Sequence, residues 1–96
     1  MTYEIRLGPP AHEYLQNLDP KSRHIVRENL GKLEDDPFPR HGSGLGDVEK
    51  VTVEGKEFYR IHIGRTHTAF YRIDEENMKV NVADITDIDK ARRMYD

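Results

Sequence analysis

From Phe58 to Asp74 the chain alternates side-chain character on both sides of a short break at Arg65-Thr66. A period of two belongs to strands that bury one face. A break this short allows only an antiparallel hairpin between them. On the first strand Tyr59, Ile61 and Ile63 share one side, the expected core, and Phe58, Arg60 and His62 share the other. On the second, His67, Ala69, Tyr71 and Ile73 alternate with Thr68, Phe70 and Arg72. Apolar content does not assign that strand cleanly. If Ala69, Tyr71 and Ile73 point inward, then Thr68, Phe70 and Arg72 join Arg60 and His62 on an open surface.

The rest of the chain frames this hairpin. Tyr3, Ile5 and Leu7 alternate with Glu4 and Arg6, which predicts a short half-buried strand ended by Gly8-Pro9-Pro10. A helix is predicted from about Pro10 to Leu18, with Ala11, Tyr14, Leu15 and Leu18 on one face. Asp19-Pro20 restarts the chain, since an Asp cap and a Pro at the first helical position are mutually suited. The second helix is predicted to about Glu34, with Ile25, Val26, Leu30 and Leu33 as its apolar stripe and Gly31 inside it. Prolines and glycines make Asp36 to Gly46 a loop. Val48, Val51 and Val53 precede a turn at Glu54-Gly55-Lys56, and Asp74-Glu75-Glu76-Asn77 turns into a last strand from Met78 to Ile85. Thr86 to Tyr95 is expected to form a short terminal helix. The predicted fold class is α+β: an N-terminal strand and a helical hairpin packed on a mainly antiparallel four- to five-stranded sheet, with a short C-terminal helix. Residues 1–96 form one domain. The first strand is expected to pair with a distant one, and the helices to cover one sheet face, leaving the other for a partner or substrate.

Composition narrows the chemistry. The chain lacks cysteine, which removes disulfides and thiolate metal sites. Of its five histidines only His62 and His67 are expected to be spatially related, and no metal or cofactor is expected. No apolar run approaches the roughly 20 residues of a membrane span, and the first residues do not read as a signal peptide. The cytoplasm and no membrane partner are therefore expected. The formal net charge of −3 argues against non-specific nucleic-acid binding but permits a local basic patch. The hairpin is such a patch, with three arginines, two histidines and no acid before Asp74. Arginine suits phosphate, an aromatic ring stacks on a base, and histidine exchanges protons near neutral pH. These are the needs of RNA cleavage by internal transesterification. The same groups also suit the solvated face of an ordinary sheet.

The chain resembles the RelE/ParE superfamily of toxins from toxin–antitoxin systems, nearest the RelE-like branch, over nearly its whole length. The resemblance rests on the strand–helix–helix–meander layout, on Glu57-Phe58-Tyr59-Arg60-Ile61-His62-Ile63-Gly64, on Ala69-Phe70-Tyr71-Arg72-Ile73-Asp74 and on the final Tyr95. It implies a ribosome-dependent messenger-RNA endoribonuclease that inhibits translation, neutralised by a cognate antitoxin. The ParE-like alternative implies a non-catalytic protein that inhibits DNA gyrase or regulates an antitoxin. Under the first reading Arg60, His62, His67 and Tyr95 are the catalytic candidates, and Arg60, Arg65, Phe70, Arg72 and Arg92 bind substrate phosphate or base. Two departures stand out. Thr68 occupies a position where the family has arginine, and Asp84-Ile85-Thr86-Asp87-Ile88-Asp89 is acidic where the family is basic.

Overall fold

The computed structural model describes residues 2–38, 48–64 and 66–87. Strand β1 (Glu4–Leu7) leads into helices α1 (Pro9–Gln16) and α2 (Pro20–Gly31), followed by a 3-10 turn at Lys32–Glu34. Four strands follow: β2 (Val48–Val53), β3 (Lys56–Ile63), β4 (His67–Asp74) and β5 (Lys79–Asp87). They form one sheet in the order β1-β5-β4-β3-β2. The last four strands are an antiparallel meander, and β1 adds to β5 in parallel, with Ile5 opposite Val80 and Leu7 opposite Val82. The distant partner expected for the first strand is thus the last strand of the sheet.

Local chemistry explains the helical hairpin. Asp19 caps α2 by accepting a hydrogen bond from the Ser22 amide at 3.1 Å, and Pro20 takes the first turn where no donor is needed. Arg23, one turn into α2, donates through Nε to the Leu15 carbonyl at 3.0 Å. Its Nη2 donates to the carbonyls of Gln16 at 3.2 Å and Leu18 at 2.9 Å. One guanidinium thus bonds three carbonyls at and just beyond the end of α1 and ties the two helices together. At the start of α1, Gly8 permits close approach: its amide donates to the Val82 carbonyl at 2.8 Å. A Cβ there would stand 3.2 Å from that same carbonyl oxygen.

The core lies between the helices and one sheet face. Ala11, Leu15, Val26, Leu30 and Leu33 pack on Ile61, Ile63, Ala69, Tyr71, Val80, Val82 and Ile85. Ala69, Tyr71 and Ile73 therefore face inward, which settles the parity of β4. Ile25 departs from its predicted place in the apolar stripe and is 39% exposed. The buried line of α2 runs Val26–Leu30–Leu33, and Ile25 sits about 100° around the helix from it. The second helix also ends earlier than predicted, at Gly31, and tightens into the 3-10 turn.

The segment after that turn is pinned to the sheet by aromatic contacts. Tyr71 donates its buried hydroxyl to the Pro37 carbonyl at 2.6 Å. Phe38 meets Tyr3 and Tyr59 edge-on, at 6.4 and 6.3 Å between ring centres, and Tyr59 stacks on Tyr71 at 5.7 Å. Burial pushes the Tyr71 phenol pKa well up, with Tyr59 and Asp36 adding to the effect, so it remains a donor.

The predicted terminal helix is corrected at its start. Thr86 and Asp87 belong to β5, where Thr86 pairs with Thr68 and Asp87 with His67. Both threonines are buried, and their β-branched side chains suit a strand better than a first helical turn. The remainder of that predicted helix lies outside the described residues, as does the rest of the predicted loop beyond Phe38.

Candidate functional site

Two-residue periodicity and register place the candidate side chains. Arg60 lies opposite Phe70 and His62 opposite Thr68, so Phe58, Arg60 and His62 share a face with Thr68, Phe70 and Arg72. It is the face away from the helices. Arg60, His62 and Arg72, from two neighbouring strands, therefore share one face, with His62 beside Arg60 and Arg72 toward the Phe58 end of the hairpin.

Their surroundings were less legible. Strand β2 brings Glu49 opposite Arg60, and the Glu49 carboxylate pairs with the Arg60 guanidinium. The same Glu49 oxygen lies 3.8 Å from His62 Nε2. On its other side, the His62 Nδ1 is 3.3 Å from the Thr68 hydroxyl. A guanidinium, a carboxylate, an imidazole and a hydroxyl thus form a continuous polar row across three strands. Thr68, at the position where an arginine was expected, anchors the imidazole instead of presenting a charge. The Arg60 side chain is only 14% exposed, against 49% for Glu49. Burial lowers the Arg60 pKa from its usual value, but an arginine so placed stays charged at any physiological pH. Arg72 is exposed and lies over the Phe58 ring at 5.6 Å, a cation–π contact that holds its guanidinium near the sheet surface.

Two candidates need correction. Phe70 is on the expected face but only 3% exposed, so its ring is not free to stack on a base. It occupies the central strand, with Arg60 on one side and Asp84 on the other. His67 is on the opposite face from His62. It is in register with Ile63 and accepts or donates at Nδ1 with the Tyr14 hydroxyl of α1 at 2.7 Å. His67 pairs across the hairpin with Ile63, the residue after His62, so the two imidazoles stand on different sides of the sheet and are not a catalytic pair. Burial depresses the His67 pKa, while Asp19 and Asp87 pull it back up. Tyr14 shows the complementary effect: burial, then Asp87, raises its phenol. Arg65, Arg92 and Tyr95 lie outside the described residues.

Glu49 is the site residue that the sequence reading missed. A usable signal was present. The β2–β3 turn holds two residues, Glu54 and Gly55, both with positive φ (52° and 80°). Pairing Val53 with Lys56 across that turn carries Glu49 to Arg60. A turn of three residues, 54–56, would instead bring Lys50 there.

The face is close to electrically balanced. Asp84 lies on it beside Phe70, and Glu4 pairs with Arg6 at 2.8 Å on the outer strand. Among the described residues no group of three or more histidine and carboxylate side chains could hold a metal ion. Among the same residues no helix is long and apolar enough to cross a membrane.

No protein-family model matches the sequence, and no curated protein sequence matches it significantly. Solved structures do resemble it. The fold is similar to a chain in a RelBE toxin–antitoxin complex from Mycobacterium tuberculosis, with a TM-score of 0.72 and 24% identity over 91% of this chain and 99% of that one. A chain in the archaeal RelE–RelB complex from Pyrococcus horikoshii gives 0.71 and 23% identity, covering 91% and 96%. A mutant of the E. coli toxin RelE in the free state gives 0.61 and 14%, covering 96% and 90%. The α+β fold described above is therefore the RelE fold, matched over nearly the whole of each chain.

Proposed function

We propose that this protein is the toxin of a toxin–antitoxin pair, held inactive by a cognate antitoxin and acting in the cytoplasm on ribosome-bound messenger RNA. The observation that carries the reading is the placement of Arg60, His62 and Arg72 on the sheet face opposite the helices, within a RelE fold. The chemistry is internal transesterification. The RNA 2′-oxygen attacks the adjacent phosphorus and gives up its proton. The bond from phosphorus to the 5′-oxygen breaks, and that oxygen takes a proton as it leaves. Arg60 and Arg72 bind the phosphate and offset charge that grows on its oxygens, and His62 exchanges a proton at the reacting centre.

The test is cleavage of a defined messenger RNA in a reconstituted translation reaction, read by mapping new 5′ ends with and without ribosomes. Cleavage is expected only with ribosomes. Arg60→Ala is expected to lower its rate by about 10²–10³-fold, the typical loss for one charge-stabilising donor. His62→Ala should cost about 10²–10⁴-fold. Intact RNA with the wild-type protein, or cleavage indifferent to both substitutions, sinks the nuclease reading.

Two observations favour a second reading. Glu49 on Arg60 and Asp84 beside Phe70 oppose phosphate binding. A non-catalytic inhibitor that binds a protein partner, DNA gyrase in the ParE-like case, tolerates such a face. It predicts that RNA stays intact while gyrase supercoiling activity falls on addition of the purified protein.

A further inference from the structure

We infer that Glu49 is a built-in phosphate mimic that occupies the Arg60 site and sets how strongly an RNA phosphate must compete to enter it. This rests on the reading of the sheet face as an RNA-binding surface. A carboxylate and a phosphate oxygen present the same thing to a guanidinium: an anionic acceptor that takes charge-assisted hydrogen bonds. Glu49 is placed to act in this way. It comes from β2, one of the two edge strands of the sheet, and pairs with an arginine of the next strand. The same carboxylate oxygen is 3.8 Å from His62, so one side chain stands against both of the neighbouring groups assigned to the phosphate. Half of its side-chain surface is exposed, so it can swing out to solvent without unpacking the core. Arg60 is much less exposed and stays in place. A phosphate that reaches Arg60 must displace the carboxylate or sit beside it, and two anions sharing one cation repel each other.

The contact therefore acts as a threshold. A lone phosphate replaces one anion with another and gains little. A polyanionic strand held at several points, as on a ribosome, supplies the surplus from its other contacts. Glu49 thereby restrains the protein from binding free RNA indiscriminately.

The experiment measures binding of a fluorescein-labelled 2′-O-methyl RNA decamer, which cannot undergo transesterification. It uses wild type, Glu49→Gln, Arg60→Ala and the double variant. Glu28→Gln, on the exposed surface of α2, controls for the change in net charge. Glu49→Gln is expected to tighten binding by about tenfold, because one unfavourable anion leaves the site. The slope of log affinity against log salt is expected to steepen by about 0.7, the value of one added phosphate contact on a single strand. A merely structural role for Glu49 would not change that slope. Arg60→Ala should abolish the gain in the double variant, and Glu28→Gln should leave affinity and slope as in wild type.

Unchanged or weaker binding by Glu49→Gln overturns the proposal. If Arg60→Ala still weakens wild-type binding in that case, the RNA-binding reading survives alone. If Arg60→Ala has no effect in either background, both fall together.

Discussion

The imidazole of His67 is held against the Tyr14 hydroxyl at 2.7 Å and feels the carboxylates of Asp19 and Asp87. Burial outweighs those carboxylates and sets its pKa below the ordinary 6.5. The unfolded chain therefore binds more protons than the native one in the window below about 6.5, and stability rises with pH there. The contribution is complete above the unfolded pKa and is lost as pH falls through the folded one. Urea unfolding between pH 7.5 and 5 should show the wild-type midpoint falling with acid. His67→Gln should flatten part of that fall, because it leaves no imidazole to charge. Parallel pH profiles for the two proteins would show that His67 does not contribute. His62, on the other face, is a separate matter: its two ring nitrogens meet Glu49 and Thr68, and substitution there should register in RNA binding instead.

At the scale of single elements, the β2–β3 turn carries a local cost. Glu54 has a φ of 52°, and Gly55 of 80°, in a two-residue hairpin loop that needs positive φ at both central positions. Glycine accepts this freely, whereas glutamate loses about 1 kcal/mol through the clash of Cβ with the carbonyl. Asparagine tolerates the same backbone, so Glu54→Asn should add about 0.5–1 kcal/mol of stability. That gain corresponds to a rise of roughly 2–8 °C in the thermal midpoint of a domain this size. A midpoint unchanged or lowered would mean that Glu54 is not strained. The same turn decided what could be read ahead of the structure. Alternation gave the faces of β3 because Tyr59, Ile61 and Ile63 are clearly more apolar than Arg60 and His62. The Asp19-Pro20 cap gave the helical break, since both residues act locally. What the pattern did not reveal depends on register or on tertiary contact. Glu49 reaches Arg60 only if the turn has two residues, and Glu54 is an unusual residue to start such a turn. Phe70 is buried on the face away from the helices, which its own alternation does not encode. Ile25 looked like core because it neighbours Val26, but the packing line of α2 passes on one side of it.

For the molecule as a whole, the sheet order divides stable from loosely held parts. Strands β4 and β5 are central, and β5 is joined on its far side by β1, so the first and last strands of the sheet lock together. Opening either central strand separates the helices' core from the sheet. Strand β2 is different: it is an edge, paired only with β3, and among its residues only Val48 is buried. Native-state hydrogen exchange should resolve this difference. Amides of β4 and β5, with Ala69, Tyr71, Val80 and Val82 as reporters, should exchange only through global unfolding, with the full urea dependence of the whole domain. Amides from Glu49 to Val53 should exchange through a smaller opening with little urea dependence. If they exchange with the same free energy and the same slope as β4, the sheet opens as one unit and β2 has no independent freedom. The distinction bears on the site, because β2 carries Glu49 and β3 carries Arg60. A local opening of β2 removes the carboxylate and leaves the guanidinium, the imidazole and the core under them in place. The strand that restrains the proposed phosphate site is thus an edge strand, which the fold can release without opening the centre of the sheet.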